Sequence, residues 1–129
     1  MIVVDASALV AIGLPESDGL TFQKALEHSD GSYLSPINYV EALMVLTRYG
    51  VVAGIDPFDA WLGLIGVELL EPDGLAQRAA AAYLTYGKGR HPARLNLGDC
   101  FAYALAKELD APLLYKGDDF AKTDIRSAR

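Results

Sequence analysis

Acidic residues from separate parts of the chain are the strongest candidates for chemistry in this sequence. Asp5 ends a short β-branched run, and Asp118 and Asp119 follow the last apolar run. Glu41 and Asp99 each lie within the first two turns of a predicted helix. In an open parallel sheet, ligands bind in the crevice beyond the carboxyl ends of the strands, where the helices that follow begin. We therefore expect these acids to converge at one edge of a sheet.

A cluster of carboxylates predicts a particular kind of ligand. Buried acids repel one another, so such a cluster persists mainly where a cation or a shared proton compensates the charge. Oxygen ligands without a neighbouring histidine or cysteine favour Mg²⁺, with Mn²⁺ as a substitute, over zinc. Ions of this kind assist the in-line displacement of a phosphoryl group. The predicted chemistry is a metal-assisted in-line displacement at a phosphoryl group.

Each acid also has a simpler explanation. Asp5 could only form a turn, Asp99 could only favour a helix start, and the last acids could belong to a Gly-Asp turn. Glu41 shares a helical stripe with Asn38 and Arg48, which would also fit a solvated face with a Glu41–Arg48 contact. The conjunction of all these acids at one sheet edge favours a functional site.

The elements that must hold the acids alternate between short apolar strands and amphipathic helices. This alternation predicts a three-layer α/β/α fold with a mostly parallel central sheet of four to five strands, and a single domain over residues 1–129. We predict strands at 1–4, 32–34, 67–70 and 112–115, and helices near 8–11, 15–28, 36–49, 56–64, 73–86 (with residue 72 as the alternative start) and 97–109.

Composition limits the possible classes of protein. Of the 129 residues, 52% are hydrophobic, so a core can form without disulfides or a Cys-rich zinc site, which the single cysteine could not build. We expect Cys100 to be a small buried hydrophobic residue. The net charge of −6 argues against a nonspecific polyanion binder unless the acids surround cations. No apolar run approaches the ~20 residues of a membrane span, and no signal peptide is recognisable, so we expect a cytoplasmic protein.

Several segments together resemble a known family. They are the opening Met-Ile-Val-Val-Asp-Ala-Ser at 1–7, Glu41 after Ser35-Pro36, Leu-Asn-Leu-Gly-Asp-Cys-Phe at 95–101, and Leu-Leu-Tyr-Lys-Gly-Asp-Asp-Phe at 113–120. In this order and spacing they resemble the PIN-domain family and, within it, the VapC-type toxins of bacterial toxin–antitoxin pairs. The resemblance spans essentially the whole chain.

The resemblance implies a Mg²⁺-dependent endoribonuclease that cuts structured RNA, such as tRNA or rRNA, in single-stranded loops. It also implies a homodimer and a cognate VapB-type antitoxin whose C-terminal segment occupies the active-site groove. Two alternatives are a PIN-like module that binds RNA or protein without catalysis, and an aspartyl-phosphate phosphotransfer domain. The second would resemble Asp-x-Asp-x-Thr at Asp5, but Ser7 stands two residues later.

Residue by residue, the resemblance implies the following site. Asp5 and Asp99 hold the metal, Glu41 positions or deprotonates the attacking water, and Asp119, or alternatively Asp118, is the fourth acid. Two further residues, Ser7 and Asn96, are expected to orient these carboxylates.

A basic loop before Asp99 is the candidate RNA-binding segment. Its residues are Lys88, Arg90, His91 and Arg94. Tyr83 and Tyr86, on the preceding helix, could stack on bases, or could belong to the core or a dimer interface.

Overall fold

A four-stranded parallel sheet forms the centre of the computed structural model, which describes all 129 residues. The strands are β1 (Ile2–Val4), β2 (Ser32–Leu34), β3 (Val67–Leu69) and β4 (Leu113–Leu114), in the spatial order β3-β2-β1-β4. In the register, Ile2 lies opposite Ser32, and Val3 lies opposite Leu113. The predicted parallel sheet is confirmed, with four strands.

Six helices cover the two faces of this sheet. They are α1 (Ala6–Gly13), α2 (Gly19–His28), α3 (Pro36–Arg48), α4 (Ile55–Leu64), α5 (Leu75–Tyr86) and α6 (Leu97–Glu108), and a short 3₁₀ helix follows at Phe120–Lys122. Successive side chains of a strand point to opposite faces. Accordingly, Val4 belongs to the core beneath α1 to α4, whereas Val3 belongs to the core beneath α5 and α6. The fold is the expected three-layer α/β/α arrangement.

Helix α2 begins later than the sequence pattern predicts. We expected a start at Pro15 or Glu16, but the helix begins at Gly19. The backbone N–H of Glu16 instead donates to the carbonyl of Ala11 at 2.9 Å, which closes a turn after α1. A Cβ on Gly19 would lie only 2.5 Å from that same carbonyl oxygen. The start of α2 is therefore set by its close approach to α1.

The carboxyl ends of β1, β2 and β4 lie at one edge of the sheet. Asp5 follows β1 and caps α1, Ser35 follows β2 and caps α3, and the loop after β4 begins at Tyr115. Cys100 lies in α6 and is buried, as expected. None of the helices is both long and apolar enough to cross a membrane.

Candidate active site

Asp5 occupies the turn between β1 and α1. Its backbone N–H donates to the Leu114 carbonyl at 2.9 Å, which continues the pairing of β1 with β4 by one residue. As the N-cap of α1, its carboxylate accepts hydrogen bonds at Oδ2 from the backbone N–H of Ser7 at 3.1 Å and from the Ser7 hydroxyl at 2.5 Å. Only 6% of Asp5 is exposed. The carboxylate is thus buried and fixed in orientation.

Ser7 joins this carboxylate to the last strand. While its hydroxyl donates to Asp5, its oxygen accepts the backbone N–H of Lys116 at 3.0 Å. A single small side chain therefore holds both Asp5 and the loop after β4. The structure places Ser7 where the sequence predicted an orienting hydroxyl.

Glu41 projects from the second turn of α3 and is partly buried. The side-chain amide of Asn38 donates to Glu41 Oε1 at 2.9 Å and also to the Gly98 carbonyl at 3.0 Å. Asn38 is fully buried, and no ion pair joins Glu41 to Arg48. The alternative of a solvated stripe with a Glu41–Arg48 contact is therefore wrong, because α6 covers this part of α3.

Asp99 lies in the first turn of α6 and forms a reciprocal capping box with Asn96. The Asn96 side chain accepts the Asp99 backbone N–H at 2.9 Å, and Asp99 Oδ2 accepts the Asn96 backbone N–H at 3.1 Å. This arrangement satisfies two of the amides that a helix start leaves unpaired. It also fixes one oxygen of the Asp99 carboxylate and leaves Oδ1 for another ligand.

The electrostatics of the three acids show that they share one environment. Burial, together with the negative charge of Glu41, raises the pKa of Asp5 to about 6. Burial, followed by the charges of Asp5 and Asp119, raises the pKa of Asp99 to about 6. Burial and the charge of Asp99 also raise the pKa of Glu41. Each acid is destabilised in its ionised form by loss of water and by its neighbours.

Asp118 and Asp119 are both exposed in the loop that precedes the 3₁₀ helix. The charge of Asp119 contributes to the raised pKa of Asp99, and Asp118 makes no such contribution. Lys116, two residues before Asp118, forms ion pairs with Glu16 and Asp18 at 3.4 and 3.2 Å. Of the two candidates, only Asp119 influences the pKa of Asp99.

The donor set fits a hard divalent cation. Asp5, Glu41 and Asp99 have no lysine or arginine partner within ion-pair distance, and their raised pKa values mark an uncompensated site. No three histidine, cysteine or acidic side chains are close enough to enclose a metal ion by themselves. Mg²⁺ rarely needs such a cage, because it keeps several waters and binds through one or two carboxylates together with substrate phosphates.

The basic loop lies between α5 and α6. Lys88 and Arg94 are exposed, while Arg90 Nε donates to the Leu84 carbonyl at 3.1 Å. His91 turns inward, where its Nδ1 accepts the Ala93 backbone N–H at 3.0 Å. Lys88 and Arg94 thus have the free cationic ends that a phosphate contact needs.

The two tyrosines of α5 have different surroundings. Tyr83 is 44% exposed and lines an apolar groove between α5 and α6 with Leu97 and Phe101. Tyr86 packs edge-on against Tyr103, with ring centroids 5.4 Å apart. Tyr86 is therefore part of the internal packing, and Tyr83 is the tyrosine that remains available on the surface.

Sequence reasoning missed two residues of this site, Asn38 and Gly98. The sequence pattern also fits Asn38 on a solvated face, and it gives Gly98 no role beyond its place in a motif. A glycine in the first turn of a helix was the available signal, because glycine disfavours helices and indicates a close approach.

Comparison with known proteins agrees with this geometry. The PIN domain family model matches residues 2–126. Ribonuclease VapC30 of Mycobacterium tuberculosis is 46% identical over 125 residues, which cover 95% of each chain. VapC ribonuclease Mb2780c of Mycobacterium bovis is 44% identical over 128 residues, which cover 98% of each chain.

Two solved structures share the fold at low sequence identity. One is Mycobacterium tuberculosis VapC20, described as a Sarcin-Ricin loop cleaving toxin, with a TM-score of 0.72, 17% identity and coverage of 97% of this chain and 96% of that chain. The other is a toxin-antitoxin complex from Klebsiella pneumoniae, with a TM-score of 0.70, 18% identity and coverage of 96% and 93%. The family match and the VapC ribonucleases at 44% and 46% identity, together with the fold, show that the chain belongs to the PIN-domain family and, within it, to the VapC-type ribonucleases.

Proposed function

We propose that this endoribonuclease is Mg²⁺-dependent and that Asp5, Glu41, Asp99 and Asp119 form its catalytic site, with Mn²⁺ as an alternative cation. One observation carries the proposal: the charges of three acids from distant segments, the buried Asp5 and the partly buried Glu41 and Asp99, raise one another's pKa, and none of the three has a cation partner in the chain. Keeping repelling carboxylates ionised costs folding free energy. Binding of a divalent cation at the site would offset this cost.

Each acidic residue of the site has its own proposed role in RNA cleavage. Asp5 and Asp99 hold the cation, since each has one oxygen fixed by hydrogen bonds and a second oxygen available. A bound divalent cation supplies positive charge that stabilises a scissile phosphate as its charge develops. Glu41 orients the attacking water and accepts its proton, for which a raised pKa is suitable. Asp119 completes the acidic pocket from the loop after β4.

Ser7 and Asn96 keep this pocket in shape. Ser7 fixes the orientation of Asp5, and Asn96 fixes that of Asp99. Outer groups of this kind typically change metal affinity or activity by about 10- to 100-fold when they are removed. Both residues therefore act through the carboxylate that each one holds.

The proposed substrate is structured RNA, cut in a single-stranded loop. The exposed Lys88 and Arg94, with Arg90 beside them, would contact phosphates next to the acidic pocket. VapC20, which shares this fold and is described as a Sarcin-Ricin loop cleaving toxin, supports this class of substrate. The excess of acids in the pocket accounts for part of the net charge of −6, which a bound cation would reduce locally.

The proposed setting is a toxin–antitoxin pair in the cytoplasm. The partner is a VapB-type antitoxin that covers the acidic pocket with its C-terminal segment, and the toxin is a homodimer of single-domain chains. The structural similarity to a protein from a toxin-antitoxin complex supports the antitoxin partner. Gel filtration with light scattering measures the oligomeric state, and a mass of one chain would contradict the dimer.

Cleavage of a fluorescent RNA by purified protein tests the proposal. We expect cleavage with Mg²⁺ or Mn²⁺, none with EDTA, and none by Asp5→Asn or Asp99→Asn, although both variants fold. Asp73→Asn, which removes a charge from an exposed position, is the matched control and should cleave normally. Cleavage by Asp5→Asn at the parent's rate, in protein freed of contaminating nuclease, would overturn the proposed mechanism.

A further inference from the structure

Asn38 is a fully buried residue whose side-chain amide N–H groups bond to the candidate active site. Its Nδ2 donates to Glu41 Oε1 at 2.9 Å and to the Gly98 carbonyl at 3.0 Å. Its Oδ1 accepts the hydroxyl of Ser35 at 2.6 Å. Since Ser35 is also the N-cap of α3, the amide cannot rotate without breaking several bonds at once. Asn38 therefore has one defined orientation.

Gly98 forms the opposite wall of the Glu41 position. A Cβ at this residue would lie 2.2 Å from both carboxylate oxygens of Glu41. Real Cβ atoms do not approach other atoms so closely, so any larger residue would displace the carboxylate. The Glu41 side chain thus lies directly against the first turn of α6, immediately before Asp99.

We propose that Asn38 and Gly98 are positioning residues that hold the Glu41 carboxylate beside Asp99 for RNA cleavage. Asn38 fixes one carboxylate oxygen with a hydrogen bond, and Gly98 provides the space that the carboxylate occupies. The inference rests on the proposed catalytic role of Glu41. Neither residue touches RNA or the reacting atoms, so each acts through Glu41 alone.

The Glu41 side chain is long and flexible, which explains why residues that position it are useful. Free Glu side chains sample many rotamers, and ordering one costs conformational entropy. A catalytic base must lie within hydrogen-bond reach of the proton it accepts. The bond from Asn38 and the wall at Gly98 select one rotamer before RNA binds. Removing either should lower the catalytic rate without weakening RNA binding.

The first test measures steady-state cleavage of a short RNA by Asn38→Ala. We expect kcat to fall by about 10- to 100-fold, with KM changed less than about twofold. Leu46→Ala is the matched control, because Leu46 is fully buried on the same helix and contacts Gly13 rather than Glu41. It should lower Tm while retaining the parent's kcat. A kcat of Asn38→Ala no lower than that of Leu46→Ala would overturn the proposal.

The second test uses Gly98→Ala, which leaves every hydrogen-bonding side chain in place. The obstructed atoms are the end of a flexible side chain, so the variant should fold and should lose kcat to a similar degree. If both residues act through Glu41, the double variant should lose little more than either single variant. Fully additive losses of kcat would show that the two residues do not both act through Glu41. Gly98→Ala decides the question if Asn38→Ala does not fold.

A spectroscopic measurement separates positioning from a general loss of structure. In metal-free protein, the ¹³C resonance of the Glu41 carboxyl carbon should shift in Asn38→Ala and in Gly98→Ala, but not in Leu46→Ala. Loss of kcat with an unchanged Glu41 resonance would overturn the proposal.

Glu41→Gln distinguishes this inference from the proposed function. Full activity of Glu41→Gln would remove the catalytic role of Glu41 itself. Loss of activity in Glu41→Gln with full activity in both Asn38→Ala and Gly98→Ala would retain that role and reject only the positioning inference.

Discussion

Substitution of Asp5 by asparagine should stabilise the metal-free protein while it destroys the catalytic site. Asparagine is as good an N-cap as aspartate, and its side-chain oxygen can accept both hydrogen bonds from Ser7. What the variant loses is the buried negative charge. Since burial is the largest cause of the raised pKa, this loss should favour folding.

The size of the effect follows from the pKa of Asp5, which rises from 3.8 to about 6 on folding. This rise corresponds to about 3 kcal/mol when the carboxyl is ionised in both states. Because the folded pKa is the higher one, the destabilisation of the parent is absent well below pH 3.8, grows between about pH 4 and pH 6, and is fully present above about pH 6. Asp5→Asn should therefore be about 3 kcal/mol more stable than the parent at pH 7.5, but only about 1 kcal/mol more stable at pH 4.5.

Urea unfolding in EDTA at these two pH values measures the effect. The same difference should appear as a rise in Tm of about 10 °C at pH 7.5. Asp73→Asn, at an exposed position, serves as the control and should change stability by less than about 0.5 kcal/mol. A lower stability of Asp5→Asn than of the parent at pH 7.5, or an equal gain in stability at both pH values, would contradict a destabilising charge at Asp5.

Three further predictions concern the surroundings of the buried acids. Asp119→Asn should lower the cleavage rate far more than Asp118→Asn, since Asp119 alone of the two influences Asp99; equal rates for both variants would reject Asp119 as the fourth acid. Ser7→Ala should lower kcat by about 10- to 100-fold, because Asp5 loses its hydroxyl donor, and a rate equal to the parent's would show that Ser7 does not orient it. Lys88→Gln and Arg94→Gln are tested in the inactive Asp5→Asn protein, and each should weaken RNA binding. Each should also reduce the slope of the logarithm of the RNA-binding constant against the logarithm of the salt concentration by about 0.7. An unchanged slope would exclude a phosphate contact.

Local patterns in the sequence predicted most of the fold. The β-branched run before Asp5, the Ser35-Pro36 helix start and the Asn96 cap each specify their element through neighbours a few residues away. The start of α2 could not be predicted in this way. It depends on the contact of Gly19 with Ala11 of another helix, and sequence spacing does not show such contacts.

In the candidate site, too, contacts between residues close in sequence could be predicted, and contacts between distant residues could not. Asp5 with Ser7, and Asp99 with Asn96, are pairs close in sequence, and their hydrogen bonds could be anticipated. The bond from Asn38 to the Gly98 carbonyl joins residues 60 positions apart. Only packing of α3 against α6 creates it, so the sequence pattern suggested a solvated face instead. The catalytic roles of these residues remain predictions.

Mn²⁺ binding followed alongside RNA cleavage tests the central claim most directly. Free Mn²⁺ is measured by electron paramagnetic resonance while Mn²⁺ is added to the parent and to the Asp99→Asn protein, and cleavage is measured in the same samples. We expect cleavage by the parent to rise with the occupancy of bound Mn²⁺, and Asp99→Asn to lose both Mn²⁺ binding and cleavage. Unchanged Mn²⁺ binding by Asp99→Asn, or cleavage by the parent with no Mn²⁺ or Mg²⁺ bound, would contradict it.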